Sequence, residues 1–101
     1  MAFHRIGTIQ QLPPGSVMEA AVGEQTFAVC NVGGELHALE GVCPHRGGPL
    51  GQGAIHDNLL VCPWHAWQYD CFTGANSFDP DLKLAKFPVT LEGDEIFLDV
   101  P

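Results

Sequence analysis

Two short segments concentrate the reactive side chains of this chain, Cys43-Pro44-His45 and Cys62-Pro63-Trp64-His65. Each supplies one thiol and one imidazole, first as C-x-H and then as C-x-x-H. Residues 46–61 lie between them, enough for a turn and a hairpin. Pro44 and Pro63 stiffen the backbone, while Gly47, Gly48 and Gly51 permit tight turns beside the first segment. Stiff loops suit a metal site, whose ligands are best placed before the metal arrives. Two thiolates and two imidazoles are a ligand set for zinc, which would make the chain a zinc-binding structural module. Zinc fingers, however, usually draw two Cys from one loop and two His from another, and here each loop gives one of each. A two-iron, two-sulfide cluster with Cys on one iron and His on the other fits that symmetry, because each loop then touches both irons. Colour separates these two readings, and the residues alone leave both open.

The sequences around the two segments are more specific. Cys-Pro-His-Arg-Gly-Gly-Pro-Leu at 43–50 and Cys-Pro-Trp-His-Ala-Trp-Gln-Tyr-Asp at 62–70 resemble the two cluster-binding boxes of Rieske iron–sulfur proteins, with the downstream Thr73-Gly74 where that family has such a pair. The resemblance implies one [2Fe-2S] cluster per chain, with Cys43 and Cys62 on one iron and His45 and His65 on the other. It also implies imidazoles that face solvent, with Gly47 and Leu50 beside them, and a Pro-containing loop, here around Pro80, that covers the cluster. Respiratory members carry an extra cysteine in each box, joined as a disulfide. The matching positions here are Gly48 and Trp64, so that bridge cannot form. Their sulfide-bonding Ser is matched by Trp67, and their Tyr donor to a ligating sulfur by Tyr69.

A chain of 101 residues makes one domain, 1–101. Glycines and two-residue polar turns divide the chain into short apolar segments, the pattern of an all-β fold. Strands are expected over Phe3 to Thr8, Ser16 to Val22, Gln25 to Val32, Glu35 to Glu40, Lys86 to Glu92 and Glu95 to Val100. Gly23-Glu24, Gly33-Gly34 and Gly93-Asp94 serve as turns. The run from Phe27 to Val32 is apolar on both faces, as a central strand would be. In the last strand Ile96, Leu98 and Val100 alternate with Glu95, Phe97 and Asp99, so one face should be buried. From Gly41 to about Gly74, Gly, Pro, Cys and His dominate, with a hairpin of Ala54 to His56 and Leu59 to Val61 around Asp57-Asn58. With the resemblance, the expected architecture is a Rieske-like antiparallel β-sandwich with an inserted cluster-binding subdomain at about 41–74.

The remaining chemistry-bearing residues have plainer roles. His4, His37 and His56 sit singly in strand-like segments and read as structural or surface residues. Trp64 and Trp67 flank His65 and read as a shield for the site, with a docking surface as the alternative. Cys30, in an apolar run, acts as a small buried hydrophobe. A Cys30–Cys71 disulfide is not expected in a reducing cytoplasm.

Charge and composition bound the partners. The formal net charge is −8, from 4 basic and 12 acidic residues, which disfavours nucleic acid and anionic membranes and favours a partner with a basic face. No apolar stretch of about 18 residues exists to span a membrane, and no signal peptide is evident at the N-terminus, so a cytoplasmic monomer is expected. A Rieske oxygenase also needs a mononuclear iron held by two His and a carboxylate, which the spare histidines and short chain do not supply. The resemblance therefore implies a ferredoxin and not an enzyme: an electron carrier from a flavin-dependent ferredoxin reductase to a terminal oxygenase such as an aromatic-ring-hydroxylating dioxygenase. The alternative is a Rieske-like small subunit of a cytoplasmic nitrite reductase.

Replacing Cys43 by Ser or His65 by Ala is expected to abolish visible absorbance and bound iron, whereas Cys30→Ala and Cys71→Ala keep both. Iron and acid-labile sulfide assays on anaerobically prepared variants check this, and loss of iron from either of the latter two would refute the ligand assignment.

Overall fold

The computed structural model describes residues 2–44, 47–64 and 66–100. The described chain forms ten strands in three antiparallel sheets. The first sheet has the order β1 (Ala2–Thr8), β10 (Glu95–Val100), β9 (Val89–Glu92). The second runs β2 (Val17–Val22), β3 (Gln25–Val32), β4 (Glu35–Glu40), β8 (Lys86–Phe87). The third is a short meander of β5 (Ala54–His56), β6 (Leu59–Val61) and β7 (Gln68–Asp70). Single 3-10 turns occupy Ile9–Gln11 and Leu50–Gln52. No helix among the described residues is long and apolar enough to cross a membrane.

β3 explains how three sheets share one small chain. Side chains alternate across a strand, and both faces of β3 are covered. Phe27 and Val29 join Leu12, Ala38, Ile96 and Leu98 in a core between the first and second sheets. Ala28 and Cys30 point the other way and join Leu39, Cys43, Leu50, Leu60, Cys62, Tyr69 and Cys71 in a second core under the third sheet. The doubly apolar run at Phe27 to Val32 is thus a central strand, as its composition indicates. Phe27 is fully buried and meets Phe87 edge-on, with ring centroids 4.9 Å apart. Asn31 closes the strand's far end, where its buried amide donates to Leu12 O at 2.8 Å and accepts from Gly34 N at 2.8 Å.

The strand expectations hold with three departures. The segment from Lys86 to Glu92 is two strands, because Pro88 lacks the N–H that a continuous ladder needs. β8 pairs with β4 in one sheet, β9 pairs with β10 in another, and Pro88 O accepts from Asp99 N at 2.9 Å. In β10, Ile96, Leu98 and Val100 are buried as expected, but Asp99 is buried as well, beside this sheet-switching corner. β7 is the strand that sequence pattern missed: three residues, Gln-Tyr-Asp, have too little apolar alternation to register.

Phe27→Ala is expected to cost about 3–5 kcal/mol of stability, since it empties the centre of the sandwich core. Phe3→Ala, at a half-exposed side chain, should stay within about 0.5 kcal/mol. Urea unfolding followed by fluorescence measures both.

Candidate metal centre

Two loops bring the cysteines of the candidate site together. The first leaves β4 and closes on itself: Cys43 N donates to Gly48 O at 2.9 Å, Gly47 N to Cys43 O at 2.7 Å, and Leu50 N to Gly41 O at 3.0 Å. Val42 and Pro49 face each other in an isolated antiparallel bridge at its neck. The second is the connection between β6 and β7, closed by Cys62 N donating to Trp67 O at 2.8 Å. Within it Ala66 takes a left-handed conformation, φ 56, which disfavours a residue with a Cβ. Such local strain is common where a loop must aim side chains at a site.

The thiols of Cys43 and Cys62 are buried and face each other within hydrogen-bonding reach, and neither is in a disulfide. Burial pushes the Cys62 thiol up; a backbone hydrogen bond from Trp64 pulls it back, and Cys43 raises it again. Tyr69, on β7, is fully buried with its hydroxyl 3.3 Å from Cys43 Sγ. Burial, followed by the Cys43 contact, raises the phenol as well. The phenol therefore keeps its proton and can serve as donor to Cys43 Sγ.

Packing around the second thiol leaves no spare room. A Cβ on Gly48 would lie 2.8 Å from Cys62 Sγ and 3.2 Å from the Trp64 ring. Gly48 and Trp64, the two positions that match the disulfide of respiratory Rieske proteins, are thus in contact, with an indole over a bare backbone. The two tryptophans differ in burial. Trp67 packs against the core under the site, while Trp64 is half-exposed. Leu50 is fully buried, because the 3-10 turn it begins carries it inward to the second core.

His45 and His65, the two imidazole ligands expected from the sequence, lie outside the described residues. Among the described residues no group of three or more His, Cys, Asp or Glu side chains is gathered to hold a metal. The other histidines stay apart: His56 is exposed, and His37 packs edge-on against Phe72 at 4.7 Å with Lys86 Nζ 3.4 Å from its Nδ1. Cys30 and Cys71 are both buried free thiols in hydrogen-bond contact, and that contact together with burial pushes the Cys30 thiol up.

Sequence reasoning missed Asn76. It is buried directly opposite Tyr69 in an isolated antiparallel bridge. Its Oδ1 accepts from Phe78 N at 2.8 Å and Asp79 N at 3.0 Å, rooting the loop that carries Pro80. Asn-Ser-Phe-Asp-Pro has the composition of an Asx turn, so the loop role was open to inspection. The pairing with Tyr69 was not.

Two buried, apposed thiols with a phenol against one of them could hold a thiolate-bound metal, whose binding would replace the thiol protons. The Rieske [2Fe-2S] domain family model matches residues 2–88. The ferredoxin component of biphenyl 2,3-dioxygenase from Rhodococcus jostii (strain RHA1) is 33% identical over 101 residues, covering 99% of this chain and 94% of that protein. The solved ferredoxin of carbazole 1,9a-dioxygenase from Nocardioides aromaticivorans IC177 superposes with a TM-score of 0.86 at 27% identity, over 97% of each chain. A structure described as a putative NADH-dependent nitrite reductase small subunit from Mycobacterium tuberculosis reaches a TM-score of 0.85 at 17% identity, over 96% of this chain and 93% of that one, a likeness of fold alone.

Gly48→Ala is expected to displace Cys62 Sγ or Trp64, because the short cysteine side chain cannot swing away from a methyl group at 2.8 Å. Bound iron per chain should fall, most at low pH, where protons compete with metal for thiolates. A variant that retains full iron content across that range would show that the second loop yields instead.

Proposed function

The chain belongs to the Rieske [2Fe-2S] domain family, and from that premise we propose that it is a ferredoxin, carrying one electron at a time from a flavin-dependent reductase to a terminal oxygenase of the aromatic-ring-hydroxylating kind. The observation that carries this reading is the near end-to-end similarity to a dioxygenase ferredoxin component. In this reading the whole chain, 1–101, is one domain with its cluster-binding part at about 41–74, and it works as a cytoplasmic monomer. Cys43, His45, Cys62 and His65 hold one cluster; Cys43 and Cys62 bind one iron, and the two histidines the other. The apposed free thiols and the C-x-H and C-x-x-H spacing support that assignment.

The cluster supplies one-electron redox chemistry when bound. The chain's own residues do the rest. The two loops fix the thiolates by backbone hydrogen bonds, so that little rearrangement accompanies a change of charge. Leu50, Leu60, Trp67 and Tyr69 keep water from the sulfur side. Tyr69 withdraws charge from Cys43 Sγ by hydrogen bonding, and Trp64 N–H does the same for Cys62. The net charge of −8 suits transient docking to a basic partner face, by steering more than by tight binding. The nitrite reductase alternative rests on fold likeness alone and takes second place.

Fresh anaerobic protein should be red-brown with about two irons and two sulfides per chain. Colourless protein with stoichiometric zinc would overturn the reading. With no disulfide brace at Gly48 and Trp64, and Trp67 where a small hydroxyl donor would sit, the sulfurs keep more negative charge and disfavour the added electron. The midpoint should lie towards about −150 mV and not about +300 mV. Tyr69→Phe should lower it further by removing a donor from Cys43. Protein-film voltammetry measures both, and a wild-type midpoint above about +100 mV would contradict assignment to the low-potential branch.

A further inference from the structure

Asn76 presents an unfinished hydrogen-bond account. The Asn76–Tyr69 bridge sets the two side chains on the same face of neighbouring strands, the closest cross-strand arrangement a sheet offers. Asn76 is 2% exposed. Its Oδ1 is committed to two backbone N–H groups, Phe78 N and Asp79 N, which fixes the orientation of the amide. The Nδ2 group is therefore turned away from that loop. It is buried and lacks an aligned partner among the described residues. It nonetheless lies alongside the Tyr69 hydroxyl across the bridge. A buried donor left unmade costs free energy, and the phenol oxygen is the acceptor that faces it. Tyr69 in turn touches Cys43 Sγ.

We infer that Asn76 is a positioning residue for the redox site: its Nδ2–H donates to Tyr69 Oη, polarises the phenol, and strengthens the hydrogen bond that Tyr69 gives to the Cys43 thiolate. The inference rests on the cluster reading above. When Tyr69 O–H points at the sulfur, its oxygen lone pairs are free to accept, and the amide donor completes the chain Asn76 Nδ2–H to Tyr69 Oη–H to Cys43 Sγ. Hydrogen bonds in such a chain reinforce one another, by about 10–30% per bond. A phenol whose oxygen accepts a bond is a better donor, so more charge is drawn from the sulfur and the reduced state is favoured. Asn76 also anchors the Pro80 loop through its other end, so one side chain ties the position of that loop to the electronic state of Cys43.

The test is a double-mutant cycle read by midpoint potential in the iron-loaded protein. Asn76→Ala should lower the midpoint by roughly a tenth to a third of the Tyr69→Phe shift, at unchanged iron content. In a Tyr69→Phe background the same substitution should have no effect, because the group through which it acts is gone. Asn76→Asp separates the donor from the loop anchor, since it keeps an acceptor for Phe78 N and Asp79 N but has no N–H. It should lower the midpoint too, and part of its shift should vanish with Tyr69→Phe, the remainder being its added charge. An unchanged midpoint in Asn76→Ala, or a shift that persists undiminished in the Tyr69→Phe background, would overturn the inference. Where Asn76→Ala assembles no cluster, Asn76→Asp takes its place in the cycle, and zero coupling to Tyr69 overturns it equally. Failure of the underlying reading looks different: the wild-type chain itself would then hold no iron or sulfide, and the inference falls with it.

Discussion

The cluster half of the molecule depends on one constraint, the holding of two buried free thiols against each other with no disulfide between them. A buried thiolate without a cation is unfavourable, and two side by side repel, so a bound cation is what would make a thiolate pair favourable in this position. What keeps the thiols apposed is backbone. Cys43 N and O are both used to fold the first loop, through Gly48 O and Gly47 N. Cys62 N is used to close the second, through Trp67 O. Because these bonds involve the two cysteines' own main-chain groups, the loops cannot reorganise without moving the sulfurs. Binding energy for a metal is then folding energy for the loops.

That constraint reaches the sandwich through β3 and β4. The inner face of β3 puts Ala28 and Cys30 under the same core that contains Cys43, Cys62 and Tyr69, while its outer face carries Phe27 and Val29 into the sandwich. Glu40 N donates to Ala85 O and Gly41 N to Thr26 O, so the first loop departs from a backbone position held on both sides. Gly74 shows the same economy on the other flank. It sits at φ 81, and a Cβ there would lie 2.5 Å from Leu84 O, so only glycine lets the chain after β7 pass so close to the segment that leads into β8. Core and site are one packing problem, which is how a chain of 101 residues supports a rigid site with a modest interior.

The sequence made the two loops, the all-β class and most strands legible for a common reason: each is written in local pattern. Paired Cys and His in Pro-stiffened loops, two-residue turns and the doubly apolar run at Phe27 to Val32 need no knowledge of distant residues. The misses are all non-local. Pro88 splits its strand because β8 and β9 belong to different sheets, which neither segment announces. β7 exists because Leu59 to Val61 offers it an edge and Tyr69 has a core to fill. Asn76 reads as a turn residue, and its place opposite Tyr69 arises only when the chain after Gly74 folds back across β7. Cys30 and Cys71, distant in sequence, share a contact for the same reason.

The two sulfurs are served by donors of different kinds, and this decides how the site can be tuned. Cys62 takes its hydrogen bond from the Trp64 backbone N–H, a donor that only a change to proline at that position would remove. Cys43 takes its hydrogen bond from a side chain, the Tyr69 hydroxyl, which is buried and has Asn76 across the bridge. Substitution at Trp64 alters shape and exposure at the surface but leaves the donor to Cys62 in place. Substitution at Tyr69 removes the side-chain partner of Cys43 but leaves the backbone bonds of the two cysteine loops in place. Shape at the surface and hydrogen bonding to Cys43 are therefore set by different residues: Trp64 stands half-exposed over Gly48, while Tyr69 and Asn76 are buried beneath it.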